Sequence, residues 1–300
     1  MNHTPSSVAA TAILAGLAVL GFACGENIAP PPADLTPFLP QNLSAASLDV
    51  RTVGLAWNLP SNVNDTVLVG YVVEAAGQQT SIGKRESVFV ASSLPPGVSQ
   101  FRVSPLGAGG ATAPGPTISW APAERFDTAF VLYEYNVSAL SRPVGLKMGS
   151  RLTDPEALPL ALAAQNSMDL WVNGDAGLPL TLRSANLWLA DWRVTQFSSV
   201  TTPAPSLDVA IPAYPAPSTF GQGIVQIQNN TIYYAICEGD NPNELNYVRI
   251  HVRVLPGSFP DRSIEIRLSL QRQPGVPFAE GSEGRSARVP AGSSASLDHT

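Results

Sequence analysis

Apolar residues recur at period two along most of this chain. Val53, Leu55 and Trp57 alternate with smaller or polar neighbours, and after a Ser/Asn/Asp run the same pattern returns at Val69, Tyr71, Val73 and Ala75. Two half-buried strands joined by a turn are the expected product. Near the other end, Val248, Ile250, Val252 and Val254 alternate with Tyr247, Arg249, His251 and Arg253, and Ile264, Ile266, Leu268 and Leu270 alternate with Glu265, Arg267 and Ser269. Further strands are expected at Phe126 to Val137, Val144 to Met148, Met168 to Val172, Leu178 to Leu182, Asn186 to Thr195, Gly223 to Gln228 and Thr231 to Cys237. The one helix-like stretch, Pro155 to Gln165, is interrupted by Pro159. The pattern predicts an all-β protein.

Composition agrees with that reading. Of 300 residues, 28 are Pro and 24 are Gly, which suits many short strands joined by turns. A chain of this length can bury a large core, and two β domains are expected, over about 40–122 and 123–275. The net charge of -6 carries no Lys/Arg cluster, so nucleic acid and anionic surfaces fall away as partners. Two cysteines, Cys24 and Cys237, allow at most one disulfide and no disulfide framework.

Residues 8–23 are uncharged and apolar but short for a membrane-spanning helix, which predicts an export signal over 1–23. The junction Leu20-Gly21-Phe22-Ala23-Cys24-Gly25 resembles a bacterial lipoprotein signal, although that family usually has Leu and a small residue where Gly21 and Phe22 stand. The resemblance implies a lipid on Cys24 and attachment to a membrane of the bacterial cell envelope. The alternative is ordinary secretion with a free thiol at the new amino terminus. Residues 24–39 include Pro30, Pro31, Pro32 and Pro37, a composition that predicts an extended tether. At the other end, 276–300 is Gly/Ser/Ala-rich without apolar periodicity and is expected to be a disordered tail.

Seven short strands with regularly spaced turns are expected between about 40 and 122. Pro40-Gln41-Asn42-Leu43, Trp57, Gly70-Tyr71-Val72-Val73-Glu74, Leu94-Pro95-Pro96-Gly97 and the Gly/Pro-rich approach to Thr117-Ile118-Ser119-Trp120 together resemble a fibronectin type III domain. This implies an immunoglobulin-like β-sandwich acting as a binding or spacer module. Phe101 stands where the family usually has a tyrosine, so the corner there is expected to be held by packing. Trp57, Tyr71 and Leu94 are expected in the core, and no Arg-Gly-Asp occurs.

The later strands resemble no family. Pairing Thr231 to Cys237 with Tyr247 to Val254 in a register centred on Pro242 sets Tyr233 opposite His251 and Cys237 opposite Tyr247. The expected same-side set is then Tyr233, Tyr247, Arg249, His251 and Arg253, read as a solvated sheet face or as a binding surface. That register keeps Cys237 and His251 apart by about four residues, roughly 13 Å, too far for a catalytic dyad. No nucleophile elbow, Cys-x-x-Cys or phosphate loop occurs, and no cofactor is expected. The oxygen-rich run Glu238 to Glu244 reads as a hairpin turn, with calcium binding as the lesser reading. Trp188 and Trp192 are expected on one face of a strand beside Asp191, as core or as a platform for a sugar ring.

The expectation is therefore a non-catalytic envelope lipoprotein serving as a binding, adhesion or spacer module, with an unknown protein or glycan partner. A carbohydrate- or small-ligand-binding protein using the second domain is the alternative, and an envelope hydrolase stands behind both.

Overall fold

A computed structural model describes residues 33–136, 138–149, 153–159, 167–238 and 244–276. Its elements are almost all antiparallel strands, arranged as four sheets that pair into two sandwiches.

The first sandwich uses β1 (Gln41–Asp49), β2 (Thr52–Asn58), β3 (Leu68–Ala75), β4 (Gln78–Gly83), β5 (Val88–Ala91), β6 (Ser99–Gly107) and β7 (Thr117–Trp120). Strands β1, β2 and β5 form one sheet and β4, β3, β6 and β7 the other, in those orders. Val53, Leu55 and Trp57 on β2 face Tyr71 and Val73 on β3 and Phe101 and Val103 on β6, all buried in one cluster. Strand β4 escapes the sequence pattern because it is an edge strand exposed on both faces, so neither face selects apolar residues. Its turn is the cause of its existence. Ala75 pairs with Gln78, and the two residues between them, Ala76 and Gly77, both have positive φ (49° and 81°), as a type I′ hairpin requires. Leu94 to Gly97, counted as one of the seven expected strands, is instead a bend, and β4 makes up the number.

The second sandwich is larger. Strands β8 (Glu124–Tyr133), β9 (Pro143–Lys147), β10 (Glu156–Pro159), β11 (Leu170–Asn173), β12 (Thr181–Ser184), β13 (Thr195–Pro203), β14 (Phe220–Gln222), β15 (Ile224–Gln226), β16 (Thr231–Glu238), β17 (Leu245–Val254) and β18 (Ser263–Leu270) follow in sequence. They make a six-stranded sheet, β14-β13-β16-β17-β18-β8, and a five-stranded sheet, β10-β9-β11-β12-β15. Val248, Ile250, Val252, Ile264, Ile266 and Leu268 from the first meet Leu146, Leu170, Val172 and Leu182 from the second in a common core.

The opposite face of the six-stranded sheet is also buried. Ile232, Tyr234, Ile236 and Tyr247 belong to the same cluster as Leu43, Ala45 and Trp120 of the first sandwich, bridged by Ala204, Leu207, Ile211 and Tyr214. Ala45 and Ile211 exchange backbone hydrogen bonds in both directions, at 2.9 and 3.0 Å. One sheet is thus covered on both sides. The alternation of Arg and His with Val on β17 suits a wet face, and packing against the neighbouring sandwich is what keeps this one dry.

Candidate functional site

The hairpin register corrects the expected polar surface. Thr231 pairs with Val252, so Tyr233 lies opposite Ile250, Ile232 opposite His251 and Cys237 opposite Asn246. This is one residue away from the symmetric register about Pro242. A one-residue slip moves a whole strand's side chains to the other face. Tyr233 consequently points into the second sandwich, where its hydroxyl donates to Gln226 O (2.8 Å) and accepts from Gln228 N (2.6 Å). Tyr234 takes its place beside Arg249.

Tyr247, Arg249 and His251 do share a side, but all three are buried rather than solvated. The Arg249 guanidinium donates to Val209 O (2.9 Å) and lies over the Trp120 ring, and its Nε has no partner among the described residues. Tyr247 packs edge-on against Tyr214, 5.8 Å between centroids. His251 Nε2 lies 3.0 Å from Ala204 O, and burial pushes the imidazole pKa down. Among these residues Arg253 alone reaches solvent, paired with Glu265 at 2.5 Å. Cys237 and His251 are on opposite faces and five pairs apart along the ladder, about 17 Å by strand rise, and burial raises the Cys237 thiol well above its usual range. Cys24 and the oxygen-rich loop 239–243 lie outside the described residues.

Trp188 and Trp192 are not on a strand. Residues 185–187 form a single 3-10 turn, a further turn follows, and β13 begins only at Thr195. This segment folds over the outer face of the five-stranded sheet, where Trp188 and Trp192 stack at 6.4 Å with 15° between planes. Trp188 also meets Tyr135 (4.7 Å) and Trp171 (4.6 Å) edge to face. With Val144, Leu158 and Met168 these rings make a small second core. A Cβ at Gly145, beneath it, would lie 2.2 Å from the Met168 sulfur, so any larger residue there must displace that side chain. Trp192 is buried and Trp188 half-buried, so neither offers an open ring face.

At the inner end of this core sits Asp169, wholly buried. Its Oδ2 accepts from Met148 N at 2.6 Å, and its Oδ1 is 3.6 Å from Arg193 Nη1. Burial raises its pKa to about 7, against the opposing pull of Arg193. A second buried acid, Glu134, is held by Arg262 in a two-pronged pair, with Oε2 2.7 Å from Nη2, and Arg262 also donates to Leu178 O and Asp175 O. Both acids are spent on holding loops to sheets.

Past Trp171 the outer face of the five-stranded sheet is open. Direct pairing sets Trp171 beside Arg183, Asn173 beside Thr181, Thr181 beside Gln226, and Arg183 beside Ile224, all on one side. Asn173, Asp175, Leu178, Thr181, Arg183 and Gln226 line a hollow of about 160 Å³ there. The Arg183 guanidinium lies 5.5 Å from the Trp171 ring centre and its Nε donates to Thr181 Oγ1 at 3.2 Å. Sequence reasoning missed Tyr135, Trp171 and this polar row. The available signal was the period-two placement of Trp171/Asn173, Thr181/Arg183 and Ile224/Gln226 on three strands, which acquires meaning only once β11, β12 and β15 are known to be neighbours.

No known family model matches the chain, and no curated protein matches it. Among solved structures, "Central Fibronectin-III array of RIM-binding protein" is similar over 83% of this chain and 69% of its own, at 10% identity and a TM-score of 0.27. "Myokine structure" is covered over 99% of its length by 29% of this chain (13% identity, TM-score 0.24). "Structure of Yersinia enterocolitica Family 28 Exopolygalacturonase" is covered over 20% of its length by 29% of this chain (20% identity, TM-score 0.24). The all-β sandwich architecture rests on the sheets themselves. Among the described residues no group of three or more His, Cys, Asp and Glu side chains is placed to hold a metal ion.

Proposed function

We propose that this chain is a non-catalytic protein of the bacterial cell envelope, anchored by lipid on Cys24 and carried on a proline-rich tether, whose two sandwiches act as one stiff body in binding or adhesion. The tether is shorter than 24–39, because Leu35 and Phe38 are buried in the first sandwich's core around a 3-10 turn. The fibronectin type III-like reading of the first sandwich belongs to this proposal and supplies its role as a spacer. The observation that carries the reading is the joint. Tyr247, Arg249 and His251, the polar residues best suited to chemistry or recognition by type, are consumed in burying one sandwich against the other. A domain pair free to swing normally has a smaller and wetter contact, whereas this joint contains a shared apolar cluster, a two-way backbone bridge and a desolvated cation over a tryptophan. Such a body suits holding a surface away from a membrane.

Fractionation of bacteria producing the full chain or its Cys24→Ala variant tests the anchor. The wild type is expected in the membrane pellet and the variant in the soluble envelope fraction. Equal partition of the two would overturn the anchored reading.

A further inference from the structure

We propose that the open half of the five-stranded sheet's outer face binds a single neutral sugar ring, as the recognition site of the binding module proposed above, on which this inference rests. Asn173, Thr181, Arg183 and Gln226 project from three adjacent strands onto one surface. Asn173 and Gln226 stand on the strands either side of Thr181, about 9–10 Å apart across the sheet, and each carries a planar donor–acceptor amide. Hydroxyls on opposite edges of one sugar ring lying over Thr181 present complementary donors and acceptors to both amides. Arg183 is held in place by the Trp171 ring and by Thr181 Oγ1, so little side-chain freedom remains for a ligand to quench.

The rim supplies the other half of sugar chemistry. Leu178 and Ile224 are 57% and 45% exposed, high for large aliphatic residues. Leu178 lines the hollow, and Ile224 is paired with Arg183. A pyranose has apolar C–H faces as well as hydroxyls, so it uses an apolar rim and a polar floor together. Asp175 and Arg183 place one charge of each sign at the hollow. With one charge of each sign the hollow offers no net field to draw in a charged ring, and a neutral ring fits its polar floor. About 160 Å³ is below the roughly 300–1,000 Å³ of pockets for drug-sized ligands, which limits the buried part to one ring.

The test is titration of the full-length protein with neutral hexoses, deoxyhexoses, N-acetylhexosamines and their oligomers, and with uronates, followed by calorimetry and by analysis of the recovered sugars. At least one neutral sugar is expected to bind, with affinity about ten-fold lower in both Asn173→Ala and Gln226→Ala, the loss of about one net hydrogen bond each. Thermal midpoints of these exposed-face variants should stay within a degree or two of wild type, and Arg253→Ala should bind normally. Absence of binding by every neutral sugar, binding confined to uronates, affinity unchanged in both variants, or self-association through this face would overturn the site while leaving the anchored module intact. Appearance of cleaved sugar would instead overturn the non-catalytic reading.

Discussion

The Arg249 guanidinium lies 6.0 Å from the centre of the Trp120 ring, so a cation from the middle of the second sandwich is buried against the last strand of the first. Trp120 in turn donates its indole N–H to Ser47 Oγ at 2.9 Å, and Ser47 donates to Ala121 O. Neither side chain is exposed. Arg249→Lys keeps the charge but loses the planar fork and the flat contact with the indole. The variant should unfold at lower denaturant concentration than wild type, by about 1–3 kcal/mol. Urea titration followed by tryptophan fluorescence checks this.

Trp57 and Tyr71 form the corresponding centre of the first sandwich, edge to face with centroids 6.3 Å apart. Neither the indole N–H nor the phenol hydroxyl has a partner among the described residues, and both are buried. An unpaired buried hydroxyl costs about 1–3 kcal/mol. Tyr71→Phe should therefore keep or raise the thermal midpoint, whereas Tyr71→Ala should cost about 3–5 kcal/mol through the cavity it leaves.

The period-two pattern made this part of the fold legible, since Val53, Leu55, Trp57, Tyr71 and Val73 are buried where alternation places them. Two things escaped it. Register depends on the loop, and a hairpin shifted by one residue from the register symmetric about Pro242 sends Tyr233 to the opposite face. Burial on both faces of a sheet depends on what packs outside it, and nothing local to Arg249 or His251 announces Tyr214 or Trp120. The stretch 186–194 misled for a third reason: Trp188 and Trp192 show strand-like spacing, but they serve a turn folded onto Trp171.

Ala76 occupies a backbone conformation that asparagine tolerates better, at an exposed position before Gly77. Ala76→Asn completes the preferred type I′ pair and should stabilise the β3–β4 hairpin by up to about 1 kcal/mol. Slower amide exchange in Gln78–Gly83 is the readout.

Asp169 gives a pH dependence of unusual sign. Its carboxyl binds a proton more tightly when folded, at about 7 against 3.8 in the open chain, chiefly through burial. Between those values the folded state holds the extra proton, so stability is greatest below the window and falls as pH rises through it, by up to about 4 kcal/mol. Arg193, Lys147 and Cys237 are the charged or titratable neighbours. His251, pushed down by burial, acts oppositely below its ordinary value, so the comparison must be with Asp169→Asn. That variant keeps an acceptor for Met148 N, should lose this slope and should be the more stable protein at pH 8. Identical pH profiles for the two proteins would contradict the assignment.

Glu134 is buried and its carboxylate is shared between Arg262 side-chain and backbone donors. Glu134→Ala leaves the guanidinium facing Leu178 O and Asp175 O without its counter-charge and should cost about 3–5 kcal/mol. Proteolysis should then cut first in the 174–178 loop.

The shared core between the sandwiches is tested most directly by scanning calorimetry of the full chain and its Trp120→Ala variant. A single transition is expected, with calorimetric and van't Hoff enthalpies equal, and the variant should lower it as a whole. Two transitions in the wild type, or a variant that shifts only part of the heat absorption, would mean that each sandwich melts alone and would contradict the stiff-body account.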